Sequence, residues 1–539
     1  MANTKEKLFS DFAAPTHQEW RDKIEVDLKG ADYEKKMVWR TNEGFAVQPF
    51  YRGEDLADNN LTDALPGEFP YVRGNKKTDN VWRVRQNISA CCPKEANRQA
   101  LDVLGRGVDS LGFKIPGKDV SAEYLDTLLD GILLPAIEIN LSTCQGHTLE
   151  LARLFVAYCE KKGYKAEEIE GCISFDPMAK TLGKGKDTAE LLPQAAELVK
   201  LLAPYKKMRC ITVHGDMLVN SGAFSYQELG YALAWGAEYL DQLTEAGVDA
   251  ALAAKKIKFE LGIGGVYFME IAKFRAARLL WAGIVSQYTD CPCAAKMHVC
   301  ATTTTYNMTV FDSYVNMLRS QTETMSAALA GVESIVVTPF DAPYEQPTEF
   351  AERIARNQQL LLKEECHFDK MVDVAGGSYF IETLTKSLAE QAWALFLDVQ
   401  DKGGFLAELK AGNIQAAVNA TNAKRHKDAG KRKEFMLGTN QFPNFTEVSE
   451  GKKPLEKTCC CGGKSECEAP YAKLETSRLA SDFESLRLQT EAAAKQPVAF
   501  MLTIGNLAMR QARAQFSCNF LAAAGYKVID NLGFPTVAE

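Results

Sequence analysis

Acidic side chains recur in or beside short apolar runs in the middle of the chain. We predict that Glu138, Asp176, Asp216 and Glu260 fall at strand ends, all on the one face of the fold where chemistry is done, and His214 lies two residues before Asp216. Carboxylates paired on one face of a fold can act as general acid and base toward a substrate. The alternative is that these groups make structural hydrogen bonds, and that is the interpretation we favour.

Three glycines in the segment ELGIGGVYF point to a second kind of chemistry, phosphate binding. Gly262, Gly264 and Gly265 match the G-x-G-x-x-G pattern only in part. A turn at a strand end, where glycine lets the backbone pass closely, is the interpretation we favour.

Thiols are the third reactive group. The sequence has 15 cysteines, and several lie in apolar segments: Cys172, Cys210, Cys300 and Cys518. That distribution is typical of small buried side chains in a reducing compartment, so we predict a cytoplasmic protein. The exception is CCCGGKSEC, from Cys459 to Cys467, whose thiols can hold a soft metal. Because paired C-x-x-C elements are missing there, we favour an oxidation-prone loop and predict no metal site.

An alternation of apolar runs and helical patterns supplies the elements that must position these groups. The runs are residues 132–141, 170–176, 209–215, 257–263, 296–302 and 333–340, and the helical patterns are 148–162, 187–203, 226–246, 267–287, 310–330 and 347–366. This order is typical of a parallel α/β fold. The remaining units are expected from RQNIS and EANRQALDVLGRG before it and from GGSYFIETLTKSLAEQAWALFLDV after it. The count favours a (β/α)8 barrel over an open sheet.

The C-terminal segment predicts a strand, a turn, a helix and a second strand. Residues 498–504 form an apolar run, Gly505 opens the turn, and helical spacing continues to Gly525. A doubly wound sheet places ligands at such a turn, yet this turn offers only Asn506, Leu507, Ala508 and Met509. We expect an incomplete domain, because a doubly wound domain needs about 100 residues or more to bury its sheet.

Charge and hydropathy exclude several classes of partner. The net charge of −8 argues against nucleic acid, no apolar run is long enough for a membrane span, and the first residues do not resemble a signal peptide.

A basic stretch lies near residue 428. It is most simply a solvated linker, and the alternative is that it binds the acidic face of a partner. Its basic residues are Lys424, Arg425, Lys427, Lys431, Arg432 and Lys433.

The order of these parts resembles the methylmalonyl-CoA mutase family over essentially the whole chain. The segment WRTNEGFAVQPFY is similar to the family's W-x-T-x-E-G-x-x-x-x-P-x-Y motif, and PGEFPYVRG with WRVRQ is similar to two further motifs. ELGYALAWGAEYL, FMEIAKFRAARLLWA, TEFAERIARNQQLLLKEE and AGGSYFIETLT are long matches. The resemblance implies an extended arm over residues 1–78 that wraps a partner, a barrel over 79–402 and a linker region over 403–495. It also implies the incomplete start of a flavodoxin-like, cobalamin-type domain over 496–539.

Positions that carry chemistry in the family differ here. Catalytic members coordinate cobalt through the histidine of Asp-x-His-x-x-Gly, but Leu507 stands at the Asp and Met509 at the His. Thr503 replaces a lysine before that turn. In the barrel, Met217 aligns with a catalytic histidine, and His214 is either a displaced ligand or, as we favour, a core histidine.

Further substrate contacts of the family are also missing from this sequence. Cys300 stands where a histidine is expected, and Lys77 where a tyrosine contacts the substrate. The segment SFDPMAKTLGKGKD has no clear equivalent of an arginine that pairs with the substrate carboxylate.

The chain therefore resembles the small, non-catalytic subunit of the bacterial heterodimeric enzymes. The resemblance implies that a large catalytic subunit is the partner, that adenosylcobalamin is carried by that subunit, and that this chain has no catalytic, cofactor-binding or metal-binding residues. The alternative is an independent barrel enzyme that uses new residues such as His214, Glu260 and Cys300.

Overall fold

A closed barrel of eight parallel strands forms the body of the protein. The computed structural model describes residues 11–455 and 469–534, with residues 536 and 538. The strands are β1 (Trp39–Arg40), β2 (Ala46–Val47), β3 (Arg83–Ser89), β4 (Ser110–Lys114), β5 (Glu138–Ser142), β6 (Glu170–Phe175), β7 (Lys207–His214), β8 (Ile257–Ile263), β9 (Val299–Thr303), β10 (Ser334–Val336), β11 (Val498–Phe500) and β12 (Lys527–Ile529). Strands β3 to β10 pair in chain order, and β10 closes the barrel against β3. The predicted barrel is confirmed.

The barrel strands arise where the apolar runs predict them, with one exception. All of the apolar runs between residues 132 and 340 contain a strand, and RQNIS lies within β3. The exception is β4, the second barrel strand in chain order. Its sequence SLGFK is too short and too mixed in polarity to stand out as an apolar run. The segment GGSYFIETLTKSLAEQAWALFLDV supplies a helix and no strand, so the prediction that it contributes a barrel strand is wrong.

Helices cover the outside of the barrel and also form part of the N-terminal arm and of the C-terminal segment. They are α1 (His17–Asp27), α2 (Tyr33–Lys36), α3 (Pro93–Leu104), α4 (Ala122–Leu128), α5 (Thr148–Lys162), α6 (Pro177–Lys184), α7 (Gln194–Leu201), α8 (Asp216–Val219), α9 (Ser225–Glu245), α10 (Ala250–Lys256), α11 (Tyr267–Val285), α12 (Val315–Leu329), α13 (Glu349–Leu360), α14 (Tyr379–Asp401), α15 (Phe405–Ala411), α16 (Asn413–Gly430), α17 (Ser481–Ala492) and α18 (Leu507–Ala523). Within the described ranges, none of them is long and apolar enough to cross a bilayer.

A buried lysine fixes the start of β8 to the start of β7. Lys256 ends α10, and its Nζ donates hydrogen bonds to the carbonyl oxygens of Leu202, Tyr205 and Met208 at 2.7, 2.6 and 3.0 Å. Burial lowers the pKa of Lys256 to about 8. Leu202 and Tyr205 lie in the connection between α7 and β7, and Met208 lies at the start of β7, so one side chain holds together the two strands that carry His214 and Glu260.

The N-terminal arm is attached to the barrel helices by an apolar contact and a buried acid. Val47 of β2 packs in a cluster with Met269 of α11 and Leu388 of α14. The carboxylate of Glu43 accepts hydrogen bonds from the backbone N–H groups of Ser225 and Tyr226, at 3.2 and 2.9 Å, at the start of α9.

The basic stretch near residue 425 is part of the folded structure. Arg425 lies in α16, its guanidinium donates to Glu434 at 2.5 Å, and it covers the ring of Tyr306 at 4.4 Å from the centroid. The prediction of a solvated linker is therefore wrong for Arg425, because the ion pair and the aromatic ring draw it onto the barrel.

The C-terminal segment forms a strand–helix–strand unit. Strands β11 and β12 are parallel, with Val498 opposite Lys527, and α18 connects them. A small cluster of Met501, Cys518, Ala522 and Val528 holds the unit together. The predicted order of elements is confirmed, while the flavodoxin-like character and the predicted domain boundaries stay predictions.

Replacing Lys256 by Met should destabilise the fold. The methionine removes the buried ammonium group that donates to all three carbonyl groups, so we expect the free energy of unfolding to fall by about 3 kcal/mol. Urea denaturation followed by circular dichroism measures this. The control is Lys255→Met in the same helix, where an exposed side chain should cost less than about 0.5 kcal/mol. Equal effects of the two substitutions would contradict the role of Lys256.

The pH dependence of stability should report Glu43. Burial raises the pKa of Glu43 from its ordinary value of 4.5 to about 7, against the hydrogen bonds from Tyr226 and Ser225. Between these pH values the folded state binds more protons than the unfolded state. The contribution of Glu43 to stability therefore falls as pH rises, by about 3 kcal/mol in total. Glu43→Gln should flatten the curve of unfolding free energy between pH 5 and 7. Parallel curves for the variant and the original chain would count against this account.

Candidate functional site

The predicted acidic residues do not all lie at the same end of the barrel. Asp176 directly follows β6, and Asp216 begins α8 just after β7, so both lie at the C-terminal end. Glu260 lies in the middle of β8, so its predicted position at a strand end is wrong, because the strand continues through Ile263. Glu138 is the first residue of β5 at the opposite end, so its predicted position is wrong. The reason is that residues 134–136 form a 3-10 turn containing Pro135, which delays the start of the strand.

Glu260 is the centre of a charged cluster inside the barrel. Its Oε1 accepts a hydrogen bond from Arg85 Nη1 at 2.8 Å and lies 3.5 Å from Lys258 Nζ. Its Oε2 lies 3.3 Å from Nδ1 of His214. Three basic groups therefore surround one carboxylate.

The contacts of this cluster cross the interior of the barrel. Arg85 lies on β3 and Glu260 on β8, and the strands β10 and β9 separate them in the sheet. Lys258 of β8 donates to Asn140 Oδ1 on β5 at 2.9 Å, with β6 and β7 between them. Side chains of strands that are three positions apart in the sheet can meet only across the lumen. The side chains that make these two contacts therefore occupy the lumen.

A second bridge crosses the barrel near the N-terminal ends of the strands. Arg83 of β3 donates to Glu170 of β6 at 2.5 Å, again between strands that are three positions apart. Glu138 accepts a short hydrogen bond from Ser110 and lies 4.0 Å from His298. His298 directly precedes β9, the strand opposite β5 in the barrel. The lumen is therefore crossed by polar side chains at two levels.

The electrostatics keep the Glu260 cluster ionised. Burial opposes the charged form of Glu260, but Arg85, Lys258 and His214 outweigh it and hold the pKa of Glu260 well below its usual range. Burial likewise opposes protonation of His214, but its hydrogen bonds with Asp216 and Glu260 raise the pKa of His214 well above its usual range. At neutral pH the cluster is a set of ion pairs, which is a poor arrangement for a general base.

The positions of His214, Asp216 and Glu260 also resemble a set of metal ligands. One nitrogen and two carboxylate oxygens lie within 4.8 Å of one another. However, Arg85 and Lys258 already pair with Glu260, and His214 Nε2 bonds to Ser174 at 3.3 Å. The geometry is accounted for by hydrogen bonds, in agreement with the interpretation of His214 as a histidine of the barrel interior.

Asp176 has a structural role. Its carboxylate accepts hydrogen bonds from the Tyr239 hydroxyl at 2.8 Å and from the N–H groups of Ala179 and His214 at 3.2 and 3.3 Å. Burial raises the pKa of Asp176 to about 7. The favoured interpretation, structural hydrogen bonding, is confirmed for this residue.

The glycine segment after β8 is held by side chains of the protein itself. The N–H of Gly262 donates to Glu228 Oε1 at 2.6 Å, and its carbonyl accepts from Lys273 Nζ at 2.7 Å. Lys273 also pairs with Glu228 and Glu270, at 2.6 and 2.5 Å. The backbone groups at Gly262 are therefore taken and are not available to a phosphate.

Close packing explains the glycine at position 262. A Cβ there would lie 3.1 Å from Val219 Cβ and 3.2 Å from Thr304 Cγ2. The close approach of backbone that the sequence suggested is therefore confirmed.

The other barrel positions singled out in the sequence are not gathered into one site. Cys300 is buried on β9, 3.5 Å from Arg85 Nη1, and burial raises the pKa of its thiol. Lys77 is exposed and lies 3.8 Å from Glu68. Met217 is half-buried against the main core, where its methyl group lies near Gly183.

The C-terminal turn caps its own helix. Asn506 Oδ1 accepts hydrogen bonds from the N–H groups of Ala508 and Met509 at 3.0 and 3.4 Å. The side chains of Leu507 and Met509 are exposed, and the hydroxyl of Thr503 donates to Asn531 at 2.5 Å. The segment from Cys459 to Cys467 lies outside the described residues, so the prediction that it holds no metal site stays a prediction.

The sequence matches the family model for methylmalonyl-CoA mutase over residues 40–118 and 119–496. The chain belongs to the methylmalonyl-CoA mutase family. A methylmalonyl-CoA mutase small subunit from Porphyromonas gingivalis is 52% identical over 544 aligned positions, which cover 100% of this chain and 87% of the relative.

More distant family members align over most of their length. The small subunit from Streptomyces virginiae is 31% identical over 97% of this chain and 84% of its own length. The small subunit from Propionibacterium freudenreichii subsp. shermanii is 30% identical over 92% of this chain and 78% of its own length. The family resemblance inferred from the motifs is confirmed.

The sequence patterns did not predict the residues that cross the lumen. Arg83, Arg85, Lys258 and Asn140 received no role, although each lies in a barrel strand. Each of the segments IKFELGI and RVRQNIS contains two charged residues. Because buried parallel strands are usually apolar throughout, these charges could have indicated polar contacts inside the barrel.

Removing the charge of Glu260 should destabilise this family member strongly. In Glu260→Gln the cations of Arg85, Lys258 and His214 lose their common counterion, so the free energy of unfolding should fall by about 3 kcal/mol. Guanidinium denaturation measures the loss. The control is Glu168→Gln, whose exposed carboxylate lies 3.9 Å from Lys165 and should contribute less than about 1 kcal/mol. Wild-type stability of Glu260→Gln would show that the cluster does not hold the barrel.

Proposed function

We propose that this chain is the non-catalytic small subunit of an adenosylcobalamin-dependent methylmalonyl-CoA mutase. The complete enzyme would interconvert succinyl-CoA and methylmalonyl-CoA in propionate metabolism, by a radical rearrangement of the carbon skeleton. Its large subunit would be the partner, carrying the cofactor and the catalytic residues. Similarity to the small subunits from three bacteria along nearly the whole chain supports this role.

The observation that carries the proposal is the charged cluster in the barrel interior. A catalytic barrel needs space for its substrate at the C-terminal end and groups that are free to contact it. Here Arg85, Lys258 and His214 are engaged with Glu260. A substrate carboxylate would have to displace Glu260 from all three cations, and no passage along the axis is expected.

The C-terminal turn supports the same conclusion about the cofactor. A cobalt ligand at this turn needs an imidazole, and a carboxylate to orient its far nitrogen. Leu507 and Met509 present a hydrocarbon side chain and a thioether to solvent, and Asn506 already caps the helix. The residues present do not fit a cobalamin site, so we propose that Thr503, Leu507 and Met509 are degenerate positions.

The partner surface is proposed to include the N-terminal arm, residues 1–78. Trp20 and Phe50 lie on the arm in ring contact with each other, beside a groove of about 550 Å³ that Ile24 and Met37 also line. An obligate heterodimer of this kind typically buries 2,000 Å² or more, so further surface of the barrel would take part. The complex is expected in the cytoplasm.

The independent-enzyme alternative is disfavoured by the state of its proposed residues. Burial raises the pKa of the Cys300 thiol, and Glu260 is ion-paired. A nucleophile and a base would need the opposite properties.

Purification and mixing test the proposal. The isolated chain should contain no corrinoid absorbance and show no mutase activity. Mixed with the large subunit from the same organism, it should elute as a one-to-one heterodimer on size-exclusion chromatography with light scattering, and it should raise or stabilise the activity. A stoichiometric corrinoid on the isolated chain, or a large subunit that is fully active alone and unchanged by mixing, would contradict the proposal.

A further inference from the structure

Two thiols lie side by side in the turn that precedes β9. Cys291 and Cys293 flank Pro292, and their Sγ atoms are 3.0 Å apart. Cys293 is exposed and Cys291 half-buried, so solvent reaches the pair. An approach of about 1 Å would bring the two sulfur atoms to the bond length of a disulfide, about 2.05 Å.

A lysine makes the surroundings of this pair electropositive. Lys255 Nζ lies 3.7 Å from the sulfur of Cys291. The hydrogen bond from Cys293, with contributions from the backbone N–H of Ala294 and from Lys255, lowers the pKa of the Cys291 thiol. A stabilised thiolate, solvent access and a neighbouring second thiol are the features of an oxidation-sensitive cysteine.

Other cysteines of the chain have different surroundings. Burial raises the pKa of the Cys159 thiol to about 12 and also raises the pKa of Cys210. Cys91 and Cys92 are exposed and adjacent in sequence, and Cys91 lies 3.4 Å from the hydroxyl of Ser89. That second pair serves as an internal comparison within the same molecule.

We propose that Cys291 and Cys293 form a site of reversible modification by hydroperoxides. The Cys291 thiolate attacks the peroxide O–O bond, giving a sulfenic acid and releasing hydroxide or an alkoxide, so that sulfur is oxidised and the peroxide reduced. The thiol of Cys293 then displaces water from that sulfenic acid, and an S–S bond forms. A dithiol reductant restores the pair. The inference is independent of the proposed role as a subunit.

The two cysteines flank a contact that attaches the segment before the first barrel strand to the turn before β9. The Tyr71 hydroxyl donates to the carbonyl of Pro292 at 2.8 Å, and the ammonium of Lys296 covers the Tyr71 ring at 5.4 Å. A disulfide between residues 291 and 293 would reshape the turn that anchors Tyr71.

The test follows individual thiols of the reduced full-length chain in excess hydrogen peroxide. Samples are alkylated at intervals, reduced, alkylated with an isotopically distinct reagent, digested and analysed by mass spectrometry. We expect the peptide containing Cys291 and Cys293 to become an internal disulfide at least about threefold faster than Cys91 or Cys92 is oxidised.

Two variants separate the roles of the groups. In Cys293→Ser, dimedone should trap a sulfenic acid at Cys291 and no internal disulfide should form. In Lys255→Met, oxidation of Cys291 should slow by about threefold, since the thiolate loses its cation. Oxidation of Cys291 no faster than Cys91 and Cys92, or loss of its thiol without an internal disulfide in the original chain, would overturn the proposal.

Discussion

The carboxylate of Glu260 is the group on which the barrel interior depends. It is the common partner of Arg85, Lys258 and His214, from three different strands. Burying several charges is unfavourable unless each is paired, and removing the shared partner leaves the others uncompensated. This requirement couples β3, β7 and β8, so one anion sets the arrangement of the polar side chains at its own level of the lumen.

Other buried ionic contacts hold that anion in place. Lys256 fastens the beginning of β8 to the connection before β7. At the other end, Glu228 and Lys273 bind the two backbone groups of Gly262. Glu260 lies between these two fixed points, so the strand has little freedom to shift its register. The interior is therefore arranged as a structural core, although its side chains are of types that barrels elsewhere use for chemistry.

Much of the fold could be predicted from the sequence because each strand–helix unit has its own periodic pattern. The interior could not, because Arg85 and Glu260 meet only after eight strands have closed with a particular stagger. Spacing along the chain contains no sign of that contact. Local exceptions misled the prediction as well: β4 has no clear apolar run, and Pro135 moves Glu138 to the far end of its strand. At the C-terminal turn, by contrast, the residues themselves were informative, since Leu507 and Met509 stand where the family resemblance implies an aspartate and a histidine.

We propose that the side chains around Glu260 occupy the barrel interior that a catalytic member of the family would give to substrate. Isothermal titration of the isolated chain with methylmalonyl-CoA tests this. We expect no saturable heat up to about 1 mM ligand. The contrary result is saturable one-to-one binding with a micromolar Kd that weakens when Arg85 or Lys258 is substituted. The ligand would then occupy the space that we assign to the Glu260 cluster.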